Sequence, residues 1–204
     1  DPLADGPVIQ SAGSAALASG ATLDVVLSVA LELSQRLPVV LMCYSNAILA
    51  RGTERFVGEI ASAGVSGLIV PDLPLEEAPA TAESCAAAGI AFIGVAAPTS
   101  TDQRLAAIGE ATQGFLYTLA VAGTTGERGE ESNYSEVIAR VRKHTSAPVA
   151  LGFGISTPQQ ASAAADAGAD GVIIGSRLVR EASESSSPAE DCQLLVEQFA
   201  QALR

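Results

Sequence analysis

The sequence predicts an α/β protein built on a parallel sheet, on three observations. The first is a repeated pattern of amphipathic helix, Ala-Gly or Pro stop, apolar strand and polar loop. Ala63-Gly64-Val65-Ser66-Gly67-Leu68-Ile69-Val70 and Ala167-Gly168-Ala169-Asp170-Gly171-Val172-Ile173-Ile174 are two copies, and Ala88-Gly89-Ile90-Ala91-Phe92-Ile93-Gly94-Val95 is a third. Glycine just past a helix, then a β-branched block, marks the αβ half of a βαβ unit. The second is that the apolar blocks are short in a chain that is 48% hydrophobic, as expected of strands covered on both faces. The third is the opening Asp1-Pro2-Leu3-Ala4-Asp5-Gly6-Pro7, which reads as a strand-exit loop feeding a helix.

Taken in chain order, the pattern begins with helices near 7–19 and 22–37, the first opened by Gly6-Pro7 and the second capped by Thr22. A strand near 38–43 leads to a helix near 53–63, a strand near 67–71 to a helix near 76–88, and a strand near 91–96 to a helix near 101–110 capped by Thr101. The strand near 115–119 precedes a helix near 134–145. The strand near 148–152 precedes a helix near 157–167, with Thr157 as N-cap and Pro158 at the first helical position. The strand near 171–175 is followed by helices near 176–183 and 188–203, joined by the exposed run Ser183-Glu184-Ser185-Ser186-Ser187. Six strands each followed by a helix make a parallel α/β domain spanning 1–204. Periodicity leaves both an open doubly wound sheet and a (β/α)₈ barrel standing. A barrel typically needs about 250 residues, so this chain would be short by roughly two βα units. Because a connecting loop must connect two elements, the opening loop gives the same expectation, that of the C-terminal part of a longer protein.

Composition narrows the function classes. The formal charge is −12 and the 11 basic residues are scattered, which argues against bulk electrostatic binding of nucleic acid or an anionic membrane. No apolar run approaches the roughly 20 residues of a membrane span. An anionic ligand would have to be held by backbone N–H groups and helix termini. Cys43, Cys85 and Cys192 are few, widely spaced and odd in number, which reads as reduced intracellular thiols rather than a disulfide frame or metal site. The single histidine, His144, ends a helical stretch and reads as a solvated residue at a helix C-terminus rather than a base.

Three stretches carry the chemistry. Gly152-Phe153-Gly154-Ile155-Ser156 and Gly175-Ser176 end the last two strands, each ahead of a helix. Glycines there let backbone N–H groups approach an anion at a helix N-terminus, the layout of a barrel phosphate site. Tight turns without a ligand are the plainer alternative, but two on consecutive strands favour phosphate. Tyr117-Thr118-Leu119-Ala120-Val121-Ala122-Gly123-Thr124-Thr125-Gly126-Glu127-Arg128 leaves a strand into a long polar loop reaching about Tyr134, the length of a lid or binding loop, with a disordered connection as the plainer alternative. Asp5 either meets a substrate N–H or O–H or N-caps the helix at Pro7, and spacing does not choose. Asp72, in Val70-Pro71-Asp72-Leu73-Pro74, reads as structural.

Together these motifs resemble the tryptophan synthase alpha chain family, in its order and at its spacing, from the first residue to the last. The opening motif and Val70-Pro71-Asp72-Leu73-Pro74-Leu75-Glu76-Glu77, Ala122-Gly123-Thr124-Thr125-Gly126, Gly152-Phe153-Gly154-Ile155-Ser156 and Ile174-Gly175-Ser176 carry the resemblance. It implies a (β/α)₈ barrel of which strands 3–8 are present. It also implies a lyase that cleaves indole-3-glycerol phosphate to indole and glyceraldehyde 3-phosphate, with no cofactor on this chain. Indole would pass to a PLP-dependent beta chain in an alpha-beta-beta-alpha complex, in the cytoplasm, or in the plastid of a plant or alga. Position by position, Asp5 matches the catalytic aspartate that meets the indole N–H, and Thr125 the lid threonine that packs on it. Gly126, Gly154, Gly175 and Ser176 match phosphate contacts, Tyr117 and Phe153 match substrate-pocket positions, and Asp1 and Pro2 match the loop facing the beta chain. Two departures stand out. The family's principal acid–base glutamate lies on a strand upstream of Asp1, and Val121 stands where bacterial members often carry arginine. Competing expectations are another phosphate-handling barrel, such as a sugar-phosphate isomerase or epimerase, a stand-alone indole-releasing lyase, and a non-catalytic chain that only binds a beta chain.

Overall fold

The computed structural model of the chain describes residues 5–120 and 133–204. Among these lie strands β1 (Val39–Met42), β2 (Val65–Ile69), β3 (Ala91–Phe92), β4 (Val95–Ala96), β5 (Leu116–Leu119), β6 (Val149–Gly152) and β7 (Gly171–Ile173). The helices are α1 (Pro7–Ala18), α2 (Leu23–Ser34), α3 (Ser45–Arg51), α4 (Thr53–Ser62), α5 (Pro79–Ala87), α6 (Asp102–Ala111), α7 (Tyr134–Val141), α8 (Pro158–Asp166), α9 (Ser176–Glu184) and α10 (Pro188–Ala202). The threonine caps form as the sequence suggests. Thr22, Thr101 and Thr157 accept from the N–H groups of Val25, Arg104 and Gln160, and Gln160 completes a capping box.

Every strand pair is parallel, and each strand neighbours the next in sequence, β1-β2-β3 and β4-β5-β6-β7. β3 and β4 together are the single strand expected at 91–96. They separate because the segment changes partner. Its first half pairs with β2 and Ile93 N–H donates to Leu68 O at 2.9 Å, whereas Gly94 O accepts from Tyr117 N–H on β5 at 3.0 Å. A staggered hand-over of this kind is the shear a barrel needs. A Cβ on Gly94 would lie 2.7 Å from Ile108 Cγ2, so only glycine lets α6 sit this close to the junction.

Burial decides between the two sheet architectures. Phe56, Ile60, Leu68, Cys85 and Ile90 form one cluster where α4 and α5 cover β2 and the start of β3, and α7, α8 and α10 cover β6 in a second. The opposite face carries Ile69, Ile93 and Tyr117 with Ala91, Val95, Leu119 and Ile173, all from strands or their junctions. Helices therefore lie on one face while strand side chains fill the other. A doubly wound sheet places helices on both faces; a barrel arc fills its concave side with its own strands. One element was not foreseen. α3 occupies what read as a loop between strand 38–43 and helix 53–63, and ends at Gly52 with φ 82. No single helix among the described residues is long and apolar enough to cross a membrane.

Candidate active site

Most site residues are placed by an element end, while Tyr117 lies within β5. Asp5 precedes Gly6, which N-caps α1 without a side-chain hydrogen bond, so the N-cap alternative for Asp5 does not hold. Its carboxylate instead accepts from Tyr44 Oη at 3.0 Å, and its backbone carbonyl accepts from the Gln10 amide at 2.8 Å. Burial first, then the hydrogen bond to Asp5, pushes the Tyr44 phenol up to about 12. Tyr44 is therefore a neutral donor throughout the physiological range. Asp72 has the structural role expected of it: its two oxygens accept from Ser45 N–H at 2.8 Å and Ser45 Oγ at 2.7 Å, capping α3 from 27 residues away.

Beyond β6, Phe153 and Gly154 both take positive φ, 75° and 98°. For phenylalanine this left-handed conformation costs on the order of 1 kcal/mol, the kind of local strain that clusters at functional sites. Gly175 N-caps α9 with no side-chain cap. Its backbone (φ −108°, ψ −84°) lies outside the usual helical and extended regions, and an added Cβ would meet no described atom within 4 Å. Packing against the protein therefore does not require the glycine, and its bareness leaves room for close approach of an anion to the α9 N-terminus. Gly152 has a different reason: a Cβ there would lie 2.4 Å from Tyr117 Cε2 and 3.0 Å from Ile173 Cβ. Its bareness gives the Tyr117 ring its seat, and burial raises the Tyr117 phenol above its ordinary value.

These residues meet in one cavity of roughly 190 Å³ beyond the carboxyl ends of the strands. Asp5, Tyr117, Phe153, Gly154, Gly175 and Ser176 line it, with Arg177 beside them. Six predicted site residues, 171 positions apart at the extremes (Asp5 and Ser176), thus line one cavity. Thr125, Gly126, Asp1, Pro2 and Val121 lie outside the described residues. A larger cavity, roughly 330 Å³, opens near Asp72 and Arg104. Asp72 is committed there to α3, and Arg104 to Glu76. His144 is away from both, with Nε2 3.8 Å from the Asp102 carboxylate. Burial pushes the Cys43 and Cys85 thiols up to about 11, leaving them protonated at neutral pH. Sequence reading missed two polar residues, Tyr44 and Arg177. Tyr44 is 39 residues from Asp5, so no local pattern links them. Arg177 directly follows the Gly175-Ser176 turn, and that adjacency was the available signal.

The model of the tryptophan synthase alpha chain family matches residues 1–204. The tryptophan synthase alpha chain of Synechococcus elongatus is 46% identical over 187 residues, covering 90% of this chain and 70% of the relative. That of a Picosynechococcus species is 41% identical over 207 positions, covering 100% of this chain and 78% of the relative. Among solved structures, Mycobacterium tuberculosis tryptophan synthase superposes with a TM-score of 0.91 at 35% identity, covering all of this chain and 77% of its own. A Pyrococcus furiosus tryptophan synthase complex superposes with a TM-score of 0.89 at 32% identity, covering 98% and 82%. These likenesses identify the parallel arc as part of a (β/α)₈ barrel, as the strand order and one-sided helix cover require. The chain belongs to the tryptophan synthase alpha chain family.

Proposed function

We propose that this cavity serves the alpha step of tryptophan biosynthesis, retro-aldol cleavage of indole-3-glycerol phosphate to indole and glyceraldehyde 3-phosphate. The observation that carries the reading is the convergence of Asp5, Tyr117, Phe153, Gly154, Gly175 and Ser176 on one cavity. Cleavage breaks the bond between indole C3 and the side chain. C3 gains a proton, the adjacent side-chain hydroxyl loses one, and positive charge passes through the indole N–H. Asp5, oriented by Tyr44, accepts that N–H. Backbone N–H groups at Gly154, Gly175 and Ser176 hold the phosphate, and Tyr117 and Phe153 wall the indole. Thr125 takes the family's lid role, and Gly126 joins the phosphate contacts. The reaction needs proton transfers by carboxylates in different environments rather than a bound cofactor. Asp1 and Pro2 face a beta chain that carries PLP, in an alpha-beta-beta-alpha assembly of the cytoplasm or plastid. The alpha2-beta2 assembly named for the Pyrococcus furiosus relative supports the beta-chain partner.

Titration with glycerol phosphate tests the phosphate half of the reading. Binding is expected with the native chain and none with Ser176→Asp, which sets a carboxylate against the phosphate. Equal affinity in the two proteins would remove the phosphate site from the α9 N-terminus.

A further inference from the structure

The chain is strongly acidic, yet among the described residues lining the cavity there is one guanidinium. Arg177 lies in the first turn of α9, directly after the Gly175-Ser176 turn, and lines the cavity with Gly154. Its side chain is 28% exposed and donates to the Glu181 carboxylate one turn on, itself 25% exposed. Helix energetics do not explain this pair. A cation in a first turn opposes the helix dipole, as does a carboxylate near the C-terminal end of a helix of nine residues. Arginine four residues before glutamate is also the weaker order for such pairs. Both charges thus stand against the field of their own helix, and the cation stands where a phosphate is expected.

We propose that Arg177 is a phosphate-binding residue, held at the cavity by Glu181 and turned to the dianionic phosphate of the substrate when it binds. The proposal rests on the phosphate reading of this cavity and deepens it. It assigns a charged, fork-shaped donor to a site otherwise read as backbone N–H groups alone. A guanidinium can meet two phosphate oxygens at once, which favours a phosphate monoester dianion over a singly charged carboxylate. Glu181 works in both directions: it fixes the arginine in place and offsets part of its charge.

The test is calorimetric titration of the 204-residue chain with glycerol phosphate, with the fold of each variant checked by circular dichroism. Arg177→Ala should weaken binding roughly tenfold or more, the range of a charge-assisted hydrogen bond. Arg177→Lys should recover part of the loss, keeping the charge without the fork. Glu181→Gln should tighten binding severalfold, because the arginine is no longer offset. A merely structural ion pair predicts the same sign for Arg177→Ala and Glu181→Gln, so opposite signs support the proposal. Native binding with Arg177→Ala unchanged would overturn the role of Arg177 and leave the phosphate site standing, as would Glu181→Gln weakening binding as much as Arg177→Ala. No binding by the native chain would overturn the phosphate reading and this role together.

Discussion

At the scale of single residues, the decisive contact is the one between Tyr44 and Asp5. Asp5 lies in the loop ahead of α1, and no local pattern in the sequence fixes its carboxylate. Tyr44, just beyond β1, does so with a 3.0 Å hydrogen bond to the carboxylate. The contact also bears on mechanism, since ångström-scale misplacement of a catalytic group can cost about 10²-fold. Tyr44→Phe removes the donor and keeps the ring. In a chain extended at its N-terminus by two βα units from the Synechococcus elongatus relative, kcat for indole release should fall about tenfold. KM should stay within about twofold, because the phosphate contacts are untouched. A rise in KM at constant kcat would instead make Tyr44 a substrate contact. Phe153 and Gly175 mark how far residue-level reading reaches. The glycine pattern was visible in the sequence, but the positive φ of Phe153 and the open space over Gly175 are properties of the folded backbone.

Among the elements, the helices with strong end signals were legible. Thr22, Thr101 and Thr157 each announced a helix that forms within a residue of its expected start. α3 was not legible, because its N-terminus is capped by Asp72 from another loop and no residue of its own gives the signal. The division of strand 91–96 was hidden for a similar reason: a change of pairing partner leaves no mark on the apolar pattern. Ion pairs at element ends set the pH response. Arg51 and Arg55 hold Glu59 below the ordinary carboxylate range, Arg104 does so for Glu76 and Arg140 for Asp102. Asp170 is held down first by the Val149 N–H at 2.6 Å and then by Arg142, stapling the α8–β7 turn to β6. Each shift favours the ionised carboxylate in the folded state. Its stabilising contribution is therefore present above the unfolded value near 4 and lost as pH falls through the lower folded value. Urea midpoints should be nearly constant from about pH 7 to 5 and fall below about pH 4. Asp170→Asn should flatten that acid limb more than Arg142→Ala, because the backbone donor is its larger cause. Stability that rises on acidification would contradict the assignment.

For the whole molecule, the arc has two ends. Among the described residues β1 pairs only with β2 and β7 only with β6. Val40 and Met42 on β1 are 39% and 49% exposed, and Val25, Val26 and Val29 on α2 and Leu194 and Val196 on α10 are exposed as well. Met42 also lines the cavity, so an open end of the arc borders the proposed active site. Asp5 is the one carboxylate among the described residues lining that cavity, and the acid–base glutamate implied by family resemblance lies on a strand upstream of Asp1. A positioned acid–base contributes roughly 10²–10⁴-fold. The 204-residue chain should therefore release indole from indole-3-glycerol phosphate at no more than a hundredth of the rate of the chain extended by two βα units, with or without a beta chain. The extended chain should also melt at a higher temperature, because the added strands would cover Val40 and Met42. Asp5→Asn in the extended chain should then remove the activity. Rapid turnover by the short chain would place both carboxylates of the reaction within residues 1–204, and the division of roles between Asp5 and the upstream glutamate would have to be redrawn.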